Sequence, residues 1–361
     1  MKIYLLCKRY YTGKDLINDR FGRLYHLPIQ LNRLGAKIIV AAIDYRHSHV
    51  EQHELDGVVF RTLPITPTTL LGSLIKLWKN LRLDPPDILI ASGDSHIGYL
   101  GLQLARKLGI PFIFDVYDYY PAFASNRILG MNAFFHKAVT NANLLLCASI
   151  PLMERLALLN ANRLLIENGV DRHLFKRKKQ NVTRLNLGLP AEAILIGYFG
   201  SIQSARGPLL IDACHQLRTE GFDLNLLLAG TLSRVSLTET WIHYLGAVPQ
   251  EQVPELIAAC DLVTVPYADN AFNAMCGACK IAEYLSCGKP VVATDIAGHR
   301  EIFRDAPQSL CRPNVADMAE AIRRQLVNPQ IAPFPASLEW KAIAKQLMKA
   351  LDEIMLAKSV L

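Results

Sequence analysis

Short apolar, β-branched runs alternate with amphipathic stretches along this chain, and they do so in two successive sets. The first comprises IYLLC at residue 3, KIIVAAI at 37, GVVFRTL at 57, DILIAS at 87, PFIFDV at 111 and NLLLCAS at 143. Between the first two runs, Phe21, Leu24, Leu27, Leu31 and Leu34 recur at helical spacing. Strand, helix, strand repeated in this way predicts a parallel sheet with helices on both faces. A polar, basic stretch from Lys176 to Gln180 reads as a linker or a solvated loop. After it come AILIGYF at 193, DLNLLLAG at 223, DLVTVP at 261 and KPVVATD at 289. The expected fold class is therefore α/β, with two doubly wound Rossmann-like domains in tandem, over residues 1–168 and 169–336. A last helix from about Ser337 to Ala357 carries Trp340, Ile343, Leu347, Leu351 and Ile354 on one stripe, and is expected to cross back onto the first domain.

The 361 residues suit two domains of ordinary size. No stretch approaches the roughly 18 uninterrupted apolar residues of a membrane span. The apolar run at the start is too short for a signal peptide and reads as a buried strand, so a cytoplasmic setting with reduced thiols is expected for the eight cysteines. Cys276 and Cys279 have C-x2-C spacing, but no second pair completes a zinc site, and small side chains packing a helix are the plainer reading. Residues 1–179 carry 24 Lys+Arg against 14 Asp+Glu, a net of +10 in a chain of net +7, which leaves −3 for the remainder. A basic half points to an anionic partner or an anionic membrane surface, or serves solubility.

In open parallel sheets ligands lie beyond the carboxyl ends of the strands, so the informative residues follow strands. After AILIGYF come Gly200 and Ser201, then Arg206 opening a helix. A glycine there admits a phosphate close to the backbone, and the cation can neutralise it; a tight turn with a surface arginine is the alternative. Further on, Met275, Cys276 and Gly277 precede Lys280 and Glu283, three apart on one helical face. The lysine can hold phosphate, and the carboxylate can accept two hydrogen bonds from vicinal ribose hydroxyls; otherwise they form an ordinary surface pair.

These segments resemble glycosyltransferase family 4, the "group 1" glycosyltransferases. Lys280 to Thr294 is similar to the family's K-x-x-E-Y-x-x-x-G-K-P-V-V-A-T variant. Ile166 to Asp171 with Phe175 resembles its I-P-N-G-V-D-x-x-x-F strand, and Tyr198 to Gly207 its Y-x-G-x5-K-G turn. Leu245 to Pro249, Asp261 and Pro266 follow in the family's order. The resemblance implies a GT-B fold whose two domains face a central cleft. It also implies an enzyme of the hexosyltransferase class that transfers sugar from a UDP- or GDP-type donor with retention of configuration and without metal or other cofactor. Arg206 matches the phosphate-binding lysine and Glu283 the ribose-binding glutamate. Ser201 replaces a frequent arginine, Met275 replaces the first glutamate of the pair that holds the donor sugar and ribose, and Lys280 stands in for the missing cation.

In the first half, Phe114 to Pro121 resembles the family's (H/R)-D-x-x-P segment, with Asp118 as its aspartate and Tyr117 where histidine is frequent. Asp118 and the rings of Tyr117, Tyr119 and Tyr120 suit acceptor sugar, an N-cap or loop carboxylate being the alternative for Asp118. Thr12, Gly13 and Lys14 after the first strand are placed to approach the reacting phosphate, and His96 also follows a strand, where Asp94 or Ser95 equally suits a helix cap. Stabilisation of the leaving diphosphate falls to Arg206, Lys280 and the amides from Cys276 to Ala278. No D-x-D pair follows a donor-side strand, as metal-dependent transfer would want. The acceptor is expected to be a glycan or a lipid-linked sugar of polysaccharide biosynthesis, on the cytoplasmic face of the membrane, with no nucleic-acid partner. A nucleotide-sugar 2-epimerase on the same fold and a non-catalytic subunit remain alternatives. Neither half has the G-x-G-x-x-G of a dinucleotide dehydrogenase after its first strand.

Overall fold

In the computed structural model, residues 1–11, 13–123, 128, 130–277 and 279–359 are described. The chain divides into two units, one formed by residues 1–168 and 340–361, the other by 169–339.

In the first unit the elements run β1 (Lys2–Lys8), β2 (Tyr10–Tyr11), β3 (Lys14–Asp15), α1 (Arg23–Arg33), β4 (Lys37–Asp44), β5 (Gln52–Leu55), β6 (Val58–Pro64), α2 (Leu70–Leu83), β7 (Ile88–Ser92), α3 (Ser95–Leu108), β8 (Phe112–Val116), α4 (Met131–Thr140), β9 (Leu144–Cys147), α5 (Ile150–Arg155) and β10 (Arg163–Leu165). Its main sheet has the order β10-β9-β8-β7-β1-β4-β6-β5. Every pairing is parallel except β5 with β6, an antiparallel edge that corrects the all-parallel expectation. Gln52–Leu55 is a half-exposed strand with no buried residue, so it lacks the apolar run that marks the others. The strands β7 and β8 are buried throughout, as a sheet covered on both faces requires.

A buried ion pair ties this unit together. Arg23 on α1 donates from Nη2 to Asp115 Oδ1 at 2.7 Å and from Nε to Asp115 Oδ2 at 3.1 Å. Its Nη1 donates to the Ile166 carbonyl at 3.0 Å, and Ser92 Oγ bonds the same carboxylate. The unit's last helix, α13 (Trp340–Ser359), begins three residues later than expected because Ala336–Leu338 forms a 3-10 turn. It packs on α1, with the Trp340 ring stacked on His26 at 5.6 Å.

The second unit runs α6 (Gln180–Leu187), β11 (Ile194–Phe199), α7 (Pro208–Thr219), β12 (Leu224–Ala229), β13 (Ile242–Tyr244), α8 (Val253–Ala259), β14 (Leu262–Val265), α9 (Ala271–Ala274), α10 (Cys279–Ser286), β15 (Val291–Thr294), α11 (Ala297–Arg300), β16 (Leu310–Cys311) and α12 (Val315–Val327). Its strands order β13-β12-β11-β14-β15-β16, all parallel. The chain leaves β11 for β12 on one side and returns to β14 on the other, so the topological switch point lies between β11 and β14. In such sheets that is where the ligand crevice opens.

Candidate functional site

The switch point of the second unit is where the sequence-predicted donor residues collect. Beyond β11, the Gly200 backbone crosses that of Gly230 after β12. A Cβ on Gly230, whose φ is +138°, would sit 1.9 Å from the Gly200 carbonyl oxygen. The Lys280 side chain lies over Gly200, where a Cβ would come 2.0 Å from its Cε and 2.7 Å from its Nζ. Ser201 is half-buried, with its carbonyl accepting from Tyr198 Oη at 2.9 Å.

Arg206 reaches the same place from the loop before α7. Its guanidinium lies 4.0 Å from the centre of the Tyr267 ring and 5.4 Å from that of Phe272. Its Nε and Nη2 donate to Asn273 Oδ1 at 3.1 and 2.9 Å, while Asn273 Nδ2 donates to the Ala268 carbonyl at 2.8 Å. That second bond fixes which way the amide faces. Lys280 Nζ donates to Tyr267 Oη at 3.3 Å, so one buried phenol orders both cations. Flat, desolvated packing of this kind strengthens a cation's hold on an anion, because little water screens it.

One turn along α10 is Glu283. No side chain among the described residues hydrogen-bonds its carboxyl. Burial pushes it up to about 7, against the opposing pull of Lys280. The next residue, Tyr284, is fully buried and accepts the Phe199 amide at 3.0 Å, which pins α10 to the end of β11. Met275, Cys276 and Gly277 form the half-buried link from α9 to α10. Gly298 on α11 packs on it so closely that a Cβ would lie 2.6 Å from the Cys276 carbonyl. Ala278 lies outside the described residues.

Tyr267, Asn273 and Gly230 were not singled out from the sequence. Tyr267 follows DLVTVP as a strand-end residue, and Asn273 follows Asn270, whose side chain caps α9 by accepting the Phe272 and Asn273 amides; those were the available signals. His299 is also at this end of the sheet. It is fully buried, bonded through Nδ1 to the Thr294 carbonyl at 2.8 Å, and burial pushes it down to about 4.

The acceptor-side residues lie at the carboxyl end of the first unit's sheet. His96 Nε2 is 2.6 Å from Tyr45 Oη, and Lys8 Nζ is 3.1 Å from Asp94 Oδ1. Asp118 and Tyr119 are half-buried, and the Arg155 guanidinium lies 5.7 Å from the Tyr119 ring. Tyr117 and Tyr120 are only 3% and 2% exposed and pack edge-on to each other at 5.8 Å. Their rings therefore fill the unit's core instead of presenting a face to sugar, which leaves Tyr119 as the accessible ring of the three. Gly13 turns the β2–β3 hairpin at φ +80°, next to Lys14, with open space around it; Thr12 lies outside the described residues. All eight cysteines are free thiols, and Cys276 and Cys279 are half-buried instead of packed away. Among the described residues, one group of carboxylates and histidine has metal-ligand spacing, Asp44, His47 and Glu51. Its two carboxylates already hold Arg9 at 2.9 and 2.8 Å.

Residues 193–328 match the family model described as "Glycosyl transferases group 1". Over 327 residues the chain is 24% identical to an uncharacterized glycosyltransferase of Methanocaldococcus jannaschii, covering 84% of this chain and 87% of that one. It is 24% identical over 276 residues to the putative teichuronic acid biosynthesis glycosyltransferase TuaC of Bacillus subtilis, covering 73% and 68% respectively. In fold it is similar to HepE of Anabaena, solved in complex with UDP, with a TM-score of 0.72 at 19% identity over 98% of this chain and 100% of that one. Two Rossmann-like domains with a returning C-terminal helix constitute the GT-B fold, and together with these matches they put the chain in the superfamily of GT-B glycosyltransferases.

Proposed function

We propose that the chain is a family-4 glycosyltransferase that moves a sugar, with retention and without metal, from a UDP- or GDP-sugar to a glycan or lipid-linked acceptor at the cytoplasmic face of a membrane. The observation that carries this reading is the convergence of Arg206 and Lys280 on Tyr267 at the switch point, with the Glu283 carboxyl one turn beyond.

In the transfer, the bond from the anomeric carbon to the diphosphate breaks and a glycosidic bond to the acceptor oxygen forms on the same face. The acceptor proton passes to the leaving phosphate oxygen. Negative charge grows on the diphosphate as positive charge grows on the ring, so groups that gain contact energy as the bond breaks lower the barrier. Arg206 and Lys280 supply that charge, held beforehand by Asn273 and Tyr267. The bare Gly200 backbone admits the phosphate, Ser201 and the Met275 to Gly277 link border it, and ionised Glu283 accepts the ribose hydroxyls. On the acceptor side, Asp118 orients the incoming hydroxyl, with Tyr119, Lys14 and His96 around it.

Arg206→Ala and Lys280→Ala test this directly. Each is expected to lower turnover at saturating donor on the order of a hundredfold, as loss of an oxyanion-stabilising group does. Wild-type turnover in both variants would overturn the assignment. Incubation with donor alone distinguishes transfer from epimerisation, since a 2-epimerase forms a new hexose without any acceptor.

A further inference from the structure

The helices α2, α3 and α4 follow β6, β7 and β8, and the chain steps the same way across the sheet each time. Right-handed crossovers therefore put all three on one face, opposite α1 and α13. Ring contacts join them side by side. Lys107 Nζ of α3 lies 5.6 Å from the Trp78 ring of α2, and Tyr99 of α3 stacks on Phe134 of α4 at 4.5 Å.

None of the three helices contains an aspartate or glutamate. Lys76, Lys79, Arg82, Arg106, Lys107 and Lys137 are all exposed on them. An ordinary solvated helix mixes both signs of charge, and between their caps, Asp84 after α2 and Asp94 before α3, these three helices carry one sign only. Its apolar residues are also misplaced for a merely soluble surface. Of the leucines and isoleucine in α2, only Leu77 and Leu81 are buried, while Leu71 is 73% exposed and Ile75 47%. Leu71, Ile75 and Lys79 follow one another at four-residue spacing, so a single stripe passes from apolar to basic. Its apolar end is the start of α2, at the carboxyl end of β6, on the rim that also carries His96 and Asp118.

We propose that the α2–α3–α4 face seats on the surface of an anionic lipid bilayer, with Leu71 and Ile75 entering the headgroup boundary and Lys76, Lys79 and Arg82 against lipid phosphates. Charge complementarity selects this occupant, and exposed leucine beside lysine is what an interfacial helix uses. The surface stands on its own geometry, while its purpose, holding the acceptor rim against a membrane-borne acceptor, rests on the transfer reading above.

The test is co-sedimentation of the full chain with phosphatidylcholine vesicles, with and without phosphatidylglycerol, at low and high salt. Nucleoside diphosphate binding and melting temperature are measured on every variant. Binding is expected only to the anionic vesicles, and to weaken steeply with salt, since exposed charges are screened over about 8 Å at physiological ionic strength. Combined Lys76→Glu, Lys79→Glu and Arg82→Glu substitution should weaken it about tenfold or more. The same reversal at Lys341, Lys345 and Lys349 of α13 changes net charge equally and should leave binding within about twofold. Leu71→Ser with Ile75→Ser should make the remaining attachment fully salt-reversible. Equal loss from both charge reversals, equal binding to neutral vesicles, or retention on DNA without vesicle binding would each overturn the proposal. Nucleotide binding that survives in all variants shows that such a failure belongs to the surface and not to the donor site.

Discussion

Glu283 is a carboxyl held out of its ordinary range by burial, at about 7. For an acid whose folded value lies above its unfolded one, the native state keeps its proton longer than the unfolded chain does. The contribution to stability is then full below about 4.5 and declines as pH rises to about 7, after which it stays low. Discounted for partial exposure, the swing is on the order of 2 kcal/mol. Denaturant unfolding at pH 5 and pH 8 should show it in the wild type, and Glu283→Gln should flatten it. Ribose binding reverses the balance, because only the ionised carboxylate accepts two hydroxyls without giving one up. Nucleoside diphosphate binding is therefore expected to tighten as pH rises through about 7 and to release a proton from the carboxyl. Calorimetry in buffers of different ionisation enthalpy measures that release, and its absence in the wild type would remove Glu283 from the ribose.

The strand-end turns of the second unit leave no room for a methyl group at two places, with different outcomes. Gly230→Ala sets a Cβ against backbone at 1.9 Å in a left-handed conformation, so the β12 turn itself must move. A loss of about 2–4 kcal/mol in unfolding free energy is expected. Gly200→Ala meets only the flexible end of Lys280. It should leave stability nearly unchanged and lower turnover by swinging the ammonium away, a split that unfolding and steady-state assays read separately.

The turn containing Gly200 was legible because it directly follows a long apolar run, Lys280 because it stands three residues before Glu283 in a segment that resembles the family motif, and the alternation of runs and helical stripes gave the two sheets. The edge strand Gln52–Leu55 was not, since half-exposed polar residues carry no periodic signal. Neither was the clamp on Arg206, whose partner Asn273 lies 67 residues away, nor the Arg23–Asp115 pair, 92 residues apart. The aromatic cluster after β8 was misjudged for a related reason: sequence shows that three tyrosines adjoin Asp118, but only packing decides that two of them turn inward.

At the scale of the molecule, the first unit is discontinuous and the second is inserted into it. Trp340, Ile343, Leu347 and Leu351 of α13 are buried, at 4%, 2%, 0% and 0% exposure. Deleting residues 340–361 should therefore destabilise the first unit and promote its aggregation, while residues 169–339, complete in sequence, keep nucleoside diphosphate binding. Limited proteolysis of the shortened chain, followed by binding measurements on the surviving fragment, checks both halves of that statement. The same discontinuity has a consequence for synthesis on the ribosome. The eight strands of the first sheet emerge early, yet the flank of α1 that α13 covers waits bare through the translation of the whole second unit. Only a chain translated through to α13 can close that side, so a message cut short anywhere in the second unit yields a product with a sticky flank, open to chaperones and proteases.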